Sequence, residues 1–151
     1  MNKNKNKKGF TLIELLVVIA IIGLLSTLAI VALNSARQKS RDAKRVADIK
    51  QIQTALEIYY NDNFEYPANV ESGSSIGTTT GAGVIYMTGV PTAPTPADGT
   101  CEGDTGSNNN AYTYVQEDGP TGSSYSLSYC LGAETGNVPA GPQTATPGGV
   151  Y

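Results

Sequence analysis

No histidine and no tryptophan occurs among the 151 residues, and beyond Lys50 there is not a single lysine or arginine. Without histidine the chain lacks the side chain most often used as a general acid or base near neutral pH, and the commonest transition-metal ligand. No nucleophile–base arrangement of the usual kind can be assembled, and nothing resembles a phosphate-binding loop. An enzyme is therefore not expected, and neither a cofactor nor a resident metal is implied. Charged residues are scarce, at 15%, whereas glycine (17) and proline (8) are plentiful. That balance suits a small, loop-rich extracytoplasmic module better than a cytosolic enzyme.

The charge that is present is unevenly placed. Lys3, Lys5, Lys7 and Lys8 precede Gly9, and the other basic residues (Arg37, Lys39, Arg41, Lys44, Arg45, Lys50) fall within fourteen positions. Ten acids then run from Glu57 to Glu134 with no cation among them. Losing the four leading lysines would take the formal balance from −3 to −7, leaving an acidic head on a basic neck.

From Phe10 to Leu33 the chain reads FTLIELLVVIAIIGLLSTLAIVAL, with Glu14 its one charge. As a helix this run is about 36 Å long, enough to cross a hydrocarbon core of about 30 Å. A secretory signal peptide shares the basic start and apolar centre, but it is shorter and ends at a small-x-small site that is not evident here. Charge counting does not orient the span, because five basic residues between Arg37 and Arg45 answer the four lysines on its other side.

The helical pattern continues past the apolar run. Ala36, Ala43, Val46, Ile49, Ile52, Leu56 and Tyr59 recur at three- or four-residue spacings as one apolar stripe. No glycine or proline interrupts residues 24–66, so one helix from Phe10 to about Asn61 is expected, ended by Asn61-Asp62-Asn63 and Pro67. Residues 68–110 are rich in Gly, Thr, Pro and Asn, with a short strand expected at Val84–Met87. Strands at Ala111–Gln116 and Ser124–Leu131, joined by Glu-Asp-Gly-Pro-Thr-Gly, read as a hairpin. Residues 132–151 read as an irregular tail. So small a sheet is marginal alone, and the stripe Val46–Tyr59 is the surface for it to pack on. Cys101 and Cys130 lie beyond the span. An even count in an exported segment predicts a disulfide, which for a loop of that size stabilises by roughly 3–4 kcal/mol.

Lys-Lys-Gly-Phe-Thr-Leu-Ile-Glu (Lys7–Glu14), opening a long apolar helix, resembles the class III signal of type IV pilins and of type II secretion pseudopilins. The resemblance covers the leader and first helix, to about Tyr60, and the C-terminal region only loosely. It implies that Gly9 precedes a bond cut by a membrane prepilin peptidase and that Phe10 becomes an N-methylated mature N-terminus. It also implies that Glu14 supports subunit docking in a growing filament, whose spine is the helix Phe10–Tyr60. Two features depart from the pattern: Val31 stands where many pilins carry proline, and the calcium-site motif of a major pseudopilin is not recognisable.

Other signals are weighed against blander ones. Asp98, Glu102, Asp104, Glu117 and Asp118 could gather around Ca²⁺, but their spacing matches no EF-hand and glycine-rich acidic loops are ordinarily just solvated. The cluster Arg37–Lys50 could meet nucleic acid, yet a solvated face or contacts to acidic neighbouring heads fit better, and nucleic acid is not an expected partner.

The fold class expected is α+β: a long N-terminal helix, membrane-spanning in its first half, with a small antiparallel sheet on its second. The divisions expected are a leader at 1–9, an apolar assembly helix at 10–34, its amphipathic continuation at 35–64 and a loop-rich head at 65–151. The function expected is that of a structural filament subunit, pilus-like or pseudopilus-like. Its partners would be further copies, a prepilin peptidase, the membrane and assembly machinery, with minor pilins as optional additions. It would be single-pass in the cytoplasmic membrane with the head outside, then part of a surface or periplasmic filament. The alternative is a single-span anchored binding domain that never polymerises.

Overall fold

A computed structural model describes residues 9–78, 83–102, 110–117 and 122–150. The leading lysines, the acids Asp104 and Asp118, and the expected turn at 118–121 lie outside the described residues. Helix α1 spans Leu12–Asn63 and is followed by strands β1 (Ile76–Gly77), β2 (Ile85–Met87), β3 (Thr113–Glu117), β4 (Ser124–Leu131), β5 (Gly141–Thr146) and β6 (Gly149–Val150), with a 3-10 turn at Gly99–Glu102. The class is α+β. The chain divides into two compact units, residues 1–37 and 38–151, with the division inside α1.

In the first unit α1 is apolar on every side, and its leucines, isoleucines and valines are exposed in the single chain. Leu and Ala favour the helix, and the many β-branched residues lower its propensity only slightly through their restricted χ1. This is the one helix among the described residues long and apolar enough to cross a membrane, with a mean hydropathy of 3.0 over its most apolar window.

In the second unit the rest of α1 buries Ile49, Ile52, Ala55, Leu56 and Tyr59 against Tyr125, Leu127, Tyr129 and Leu131 of β4 and Ala145 of β5. The sheet is antiparallel in the order β3-β4-β5-β6, while β1 and β2 form a separate two-stranded ribbon. Alternation along β4 explains its inward Tyr125, Leu127 and Tyr129. Tyrosines add edge and stacked contacts across the core: Tyr66 lies 4.7 Å from Tyr125 between ring centroids, and Tyr60 lies 4.6 Å from Tyr66.

Two expectations are corrected. Residues 132–151 are not an irregular tail, since β5 pairs with β4 from Leu127↔Ala145 to Leu131↔Gly141. Gly141-Pro142-Gln143 conceals this strand because it carries no apolar alternation, and β6 pairs only with Ala145 and Thr146. At Pro142, β5 is thus an edge strand, where a residue without an N–H is tolerated. The apolar stripe also does not run through Ala36 and Ala43, which are exposed. At that level the buried side chains are Asp42 and Arg45, because what faces them is polar backbone and not the apolar sheet.

Candidate functional site

At the start of α1, Gly9 and Phe10 precede the first helical turn, and Phe10 is 91% exposed. Thr11 caps the helix. Its hydroxyl oxygen accepts from the Glu14 N–H at 3.3 Å, while Glu14 Oε2 accepts from the Thr11 N–H at 2.8 Å and from its hydroxyl at 2.7 Å. This reciprocal arrangement is a capping box, and a carboxylate in the first turn also meets the positive end of the helix. Glu14 therefore has an intrachain partner. Reading the sequence for a junction and an isolated charge passed over Thr11, although Thr-x-x-Glu ahead of an apolar run is itself a helix-start signature. Gly9, Phe10 and Glu14 are neighbours only through their closeness in sequence, with Gly9 and Phe10 ahead of the helix and Glu14 in its first turn.

In the second unit an ionic cluster ties α1 to the head's loops. Arg45 is 1% exposed and Asp42 0%. Arg45 Nη1 donates to Asp42 Oδ1 at 2.6 Å and to Asp98 Oδ2 at 3.2 Å. Its Nη2 donates to Asn110 Oδ1 at 2.8 Å and to the carbonyls of Pro94 at 3.0 Å and Pro96 at 3.3 Å. Arg41 closes on Asp98 with a two-point fork, Nε to Oδ2 at 2.7 Å and Nη2 to Oδ1 at 2.5 Å. Asp42 accepts from the N–H groups of Gly132 at 3.0 Å and Ala133 at 2.9 Å. The fork from Arg41, with help from Arg45, holds the Asp98 carboxyl below its ordinary value against the opposing effect of burial. A Cβ at Gly132 would stand 2.4 Å from Asp98 Cβ, so the end of β4 approaches this loop only as glycine. Further along, the Tyr112 hydroxyl donates to Asp48 Oδ2 at 2.9 Å, and burial followed by the Asp48 charge pushes that phenol up.

Cys101 and Cys130 form a disulfide with Cα atoms 5.7 Å apart, fixing the 3-10 turn beside Asp98 to β4. Cys130 is buried on the face opposite Tyr129, covered by that turn. The basic cluster of the neck is not the uniform solvated face that its sequence suggests: Arg45 is buried and Arg41 is committed to Asp98, leaving Arg37, Lys39, Lys44 and Lys50 exposed. Of the acids weighed for calcium, Asp98 is taken by two guanidiniums and Glu117 accepts from the Ser126 hydroxyl at 2.7 Å. Among the described residues no three His, Cys, Asp or Glu side chains gather as a metal site.

Residues 4–30 match the family model described as the prokaryotic N-terminal methylation motif. The "Type II secretion system core protein G" of Escherichia coli is 35% identical over 94 residues, covering 62% of this chain and 57% of that protein. The protein of the same name in Vibrio cholerae is 33% identical over 96 residues, covering 64% and 58%. The "Type IV wide pilus major component PilA4" of Thermus thermophilus is 41% identical over 73 residues, covering 48% and 56%. The chain thus spans less than two thirds of the length of these relatives. No solved structure matches. Through the N-terminal motif and these relatives, the chain is similar to type IV pilins and type II secretion pseudopilins.

Proposed function

We propose that the chain is a structural, non-enzymatic subunit of a pilus-like or pseudopilus filament, cut after Gly9, methylated at Phe10 and polymerised through α1. The observation that carries this reading is the helix surface from Leu12 to Leu33, apolar on all sides and uncovered in the single chain. Such a surface needs a bilayer or other copies of itself, and a filament subunit uses the first before assembly and the second after it. Cutting after Gly9 creates a cationic amine on Phe10, and a neighbour's amine can then compete with Thr11 for the Glu14 carboxylate. An uncut chain offers no such amine, so processing gates assembly. Before assembly the helix is anchored in the cytoplasmic membrane with the disulfide-bearing head on the oxidising side.

Mass spectrometry of the N-terminus after co-expression with a prepilin peptidase tests this. The chain should shorten by the nine residues through Gly9 and gain a methyl group on Phe10, and Gly9→Val should block both. Unchanged processing of the valine variant would refute the assignment of the cut.

A further inference from the structure

Phe64 is the only residue other than glycine with positive φ among the described residues, at 58°, yet its ring is 81% exposed. It stands just past the end of α1, where its N–H donates to the Tyr60 carbonyl at 2.8 Å. This is the left-handed cap position that ordinarily takes glycine, because a Cβ there is strained. A phenylalanine at this point has neither a relaxed backbone nor a buried ring in the single chain. Strain kept at an exposed aromatic side chain indicates a use for that side chain. Ile58, 49% exposed on the last turns of α1, adds a second apolar side chain at this end, and exposed Glu57, Asp62 and Glu65 surround the pair in sequence.

The opposite end of the same helical segment carries the complement. Ser40, Ala43 and Ala47 are exposed and small, spaced three and four residues apart on one face. Lys39, Lys44 and Lys50 flank them, exposed and without an ion pair among the described residues. Large apolar groups among acids thus stand at one end, and a shallow small-residue face among cations at the other. The two ends cannot meet within one molecule, since Ala47 and Phe64 are seventeen residues apart on a rigid helix and its cap, about 25 Å.

We propose that Phe64 and Ile58 of one copy seat on the Ser40–Ala47 face of a second copy, displaced along the helix axis by roughly 15–30 Å, with the flanking lysines and acids pairing across the contact. The proposal rests on the filament reading and names the surfaces by which the second units meet. Copies anchored by the same N-terminal segment are parallel, so the contact is head-to-tail. A heterologous contact of this kind does not close on itself and extends indefinitely. A flat anionic lipid surface would satisfy the lysines alone and would leave Phe64, Ile58 and the acids without partners.

The test uses the full chain carrying Ala47→Cys and Phe64→Cys together, assembled and treated with a short bismaleimide; the native disulfide is buried and stays intact. A ladder of cross-linked species beyond the dimer is expected, with none from either single variant. Phe64→Gly, which relieves the backbone, should leave the melting temperature unchanged or raised while sedimentable assemblies fall about tenfold, the loss typical of a central interface residue. Lys44→Glu should weaken assembly, and adding Asp62→Lys should restore it. Normal assemblies without a ladder would overturn the contact while leaving the filament reading intact. A ladder that stops at the dimer would overturn the staggered arrangement in favour of a closed antiparallel pair. Wild-type chains that never sediment would instead remove the filament reading itself. Loss of binding to anionic vesicles in Lys44→Glu with an unaltered ladder would assign the lysines to the membrane.

Discussion

A guanidinium with 1% exposure needs compensation, and around Arg45 both terminal nitrogens find it while Nε has no hydrogen-bond partner among the described residues. Two carboxylates, one amide oxygen and two backbone carbonyls converge on it, while Asp42 turns its remaining lone pairs to the N–H groups of Gly132 and Ala133. Asp98 is the member that joins α1 to the loop before the 3-10 turn, so its ionisation matters most for holding that loop. Its folded-state pKa lies below the ordinary value of 3.8. The pairing therefore contributes stability that is complete above that value and lost as pH falls through the lower folded value. Asp98→Asn should destabilise the head by about 1.5–3 kcal/mol at neutral pH, the range for hydrogen bonds to charged groups. Denaturant melts should converge with those of the wild type as pH falls through the lowered folded-state value, below which Asp98 is protonated in both states of the wild-type chain. A gap that persists undiminished in acid would mean that Asp98 acts by packing and not by charge.

At the scale of the elements, the start of α1 depends on one capping box. Thr11→Val keeps the side-chain volume and removes the hydroxyl that caps the Glu14 N–H, which should cost about 1 kcal/mol of local helix stability. Hydrogen exchange of the full chain in bicelles should show faster exchange at residues 12–15 and no change in the head. Equal exchange in both proteins would show that the bilayer alone sets where the helix begins. The helix itself was legible from the sequence, because an uninterrupted apolar run and its amphipathic continuation leave no competing element. Strands β3 and β4 were legible for a similar reason, since Tyr and Leu alternate along them. Strand β5 was not, because Gly141, Pro142 and Thr144 carry no periodic apolar signal and the strand is held by pairing to β4. The burial of Arg45 was hidden more deeply: a charge reads as solvent-facing until the loop bearing Asp98 is placed against it. Gly9, Phe10 and Glu14 could be named from a motif, and Thr11 from the Thr-x-x-Glu spacing, whereas Phe64 stands out only once its backbone conformation and exposure are known.

Among the described residues the head's core mixes five buried tyrosines, Tyr59, Tyr66, Tyr112, Tyr125 and Tyr129, with its aliphatic side chains. Tyr125 and Tyr129 are fully buried, and burial pushes both phenols up to about 12. Their raised folded values mean that the neutral core is fully favoured below the ordinary tyrosine pKa of 10.0 and loses stability as pH rises toward about 12. Alkaline titration should therefore show tyrosinate absorbance from these residues rising together with loss of circular dichroism, in one cooperative step. Tyrosinate formation well ahead of unfolding would mean that both phenols reach solvent in the folded head.

In the filament proposed above, a subunit also has to bear load, and the disulfide sets how it yields. Cys101 and Cys130 are 29 positions apart, so the covalent bridge takes that stretch of chain out of the path along which tension runs. At about 3.3–3.6 Å per extended residue, roughly 100 Å of contour cannot be drawn out while the bridge holds. That stretch contains β3 and most of β4, which include the strand carrying Tyr125 and Tyr129. Pulling on the two ends of the chain can strip β5 and β6 from the sheet, but the bridged segment remains a closed ring that shortens the subunit's reach and leaves less to rewind when the load is released.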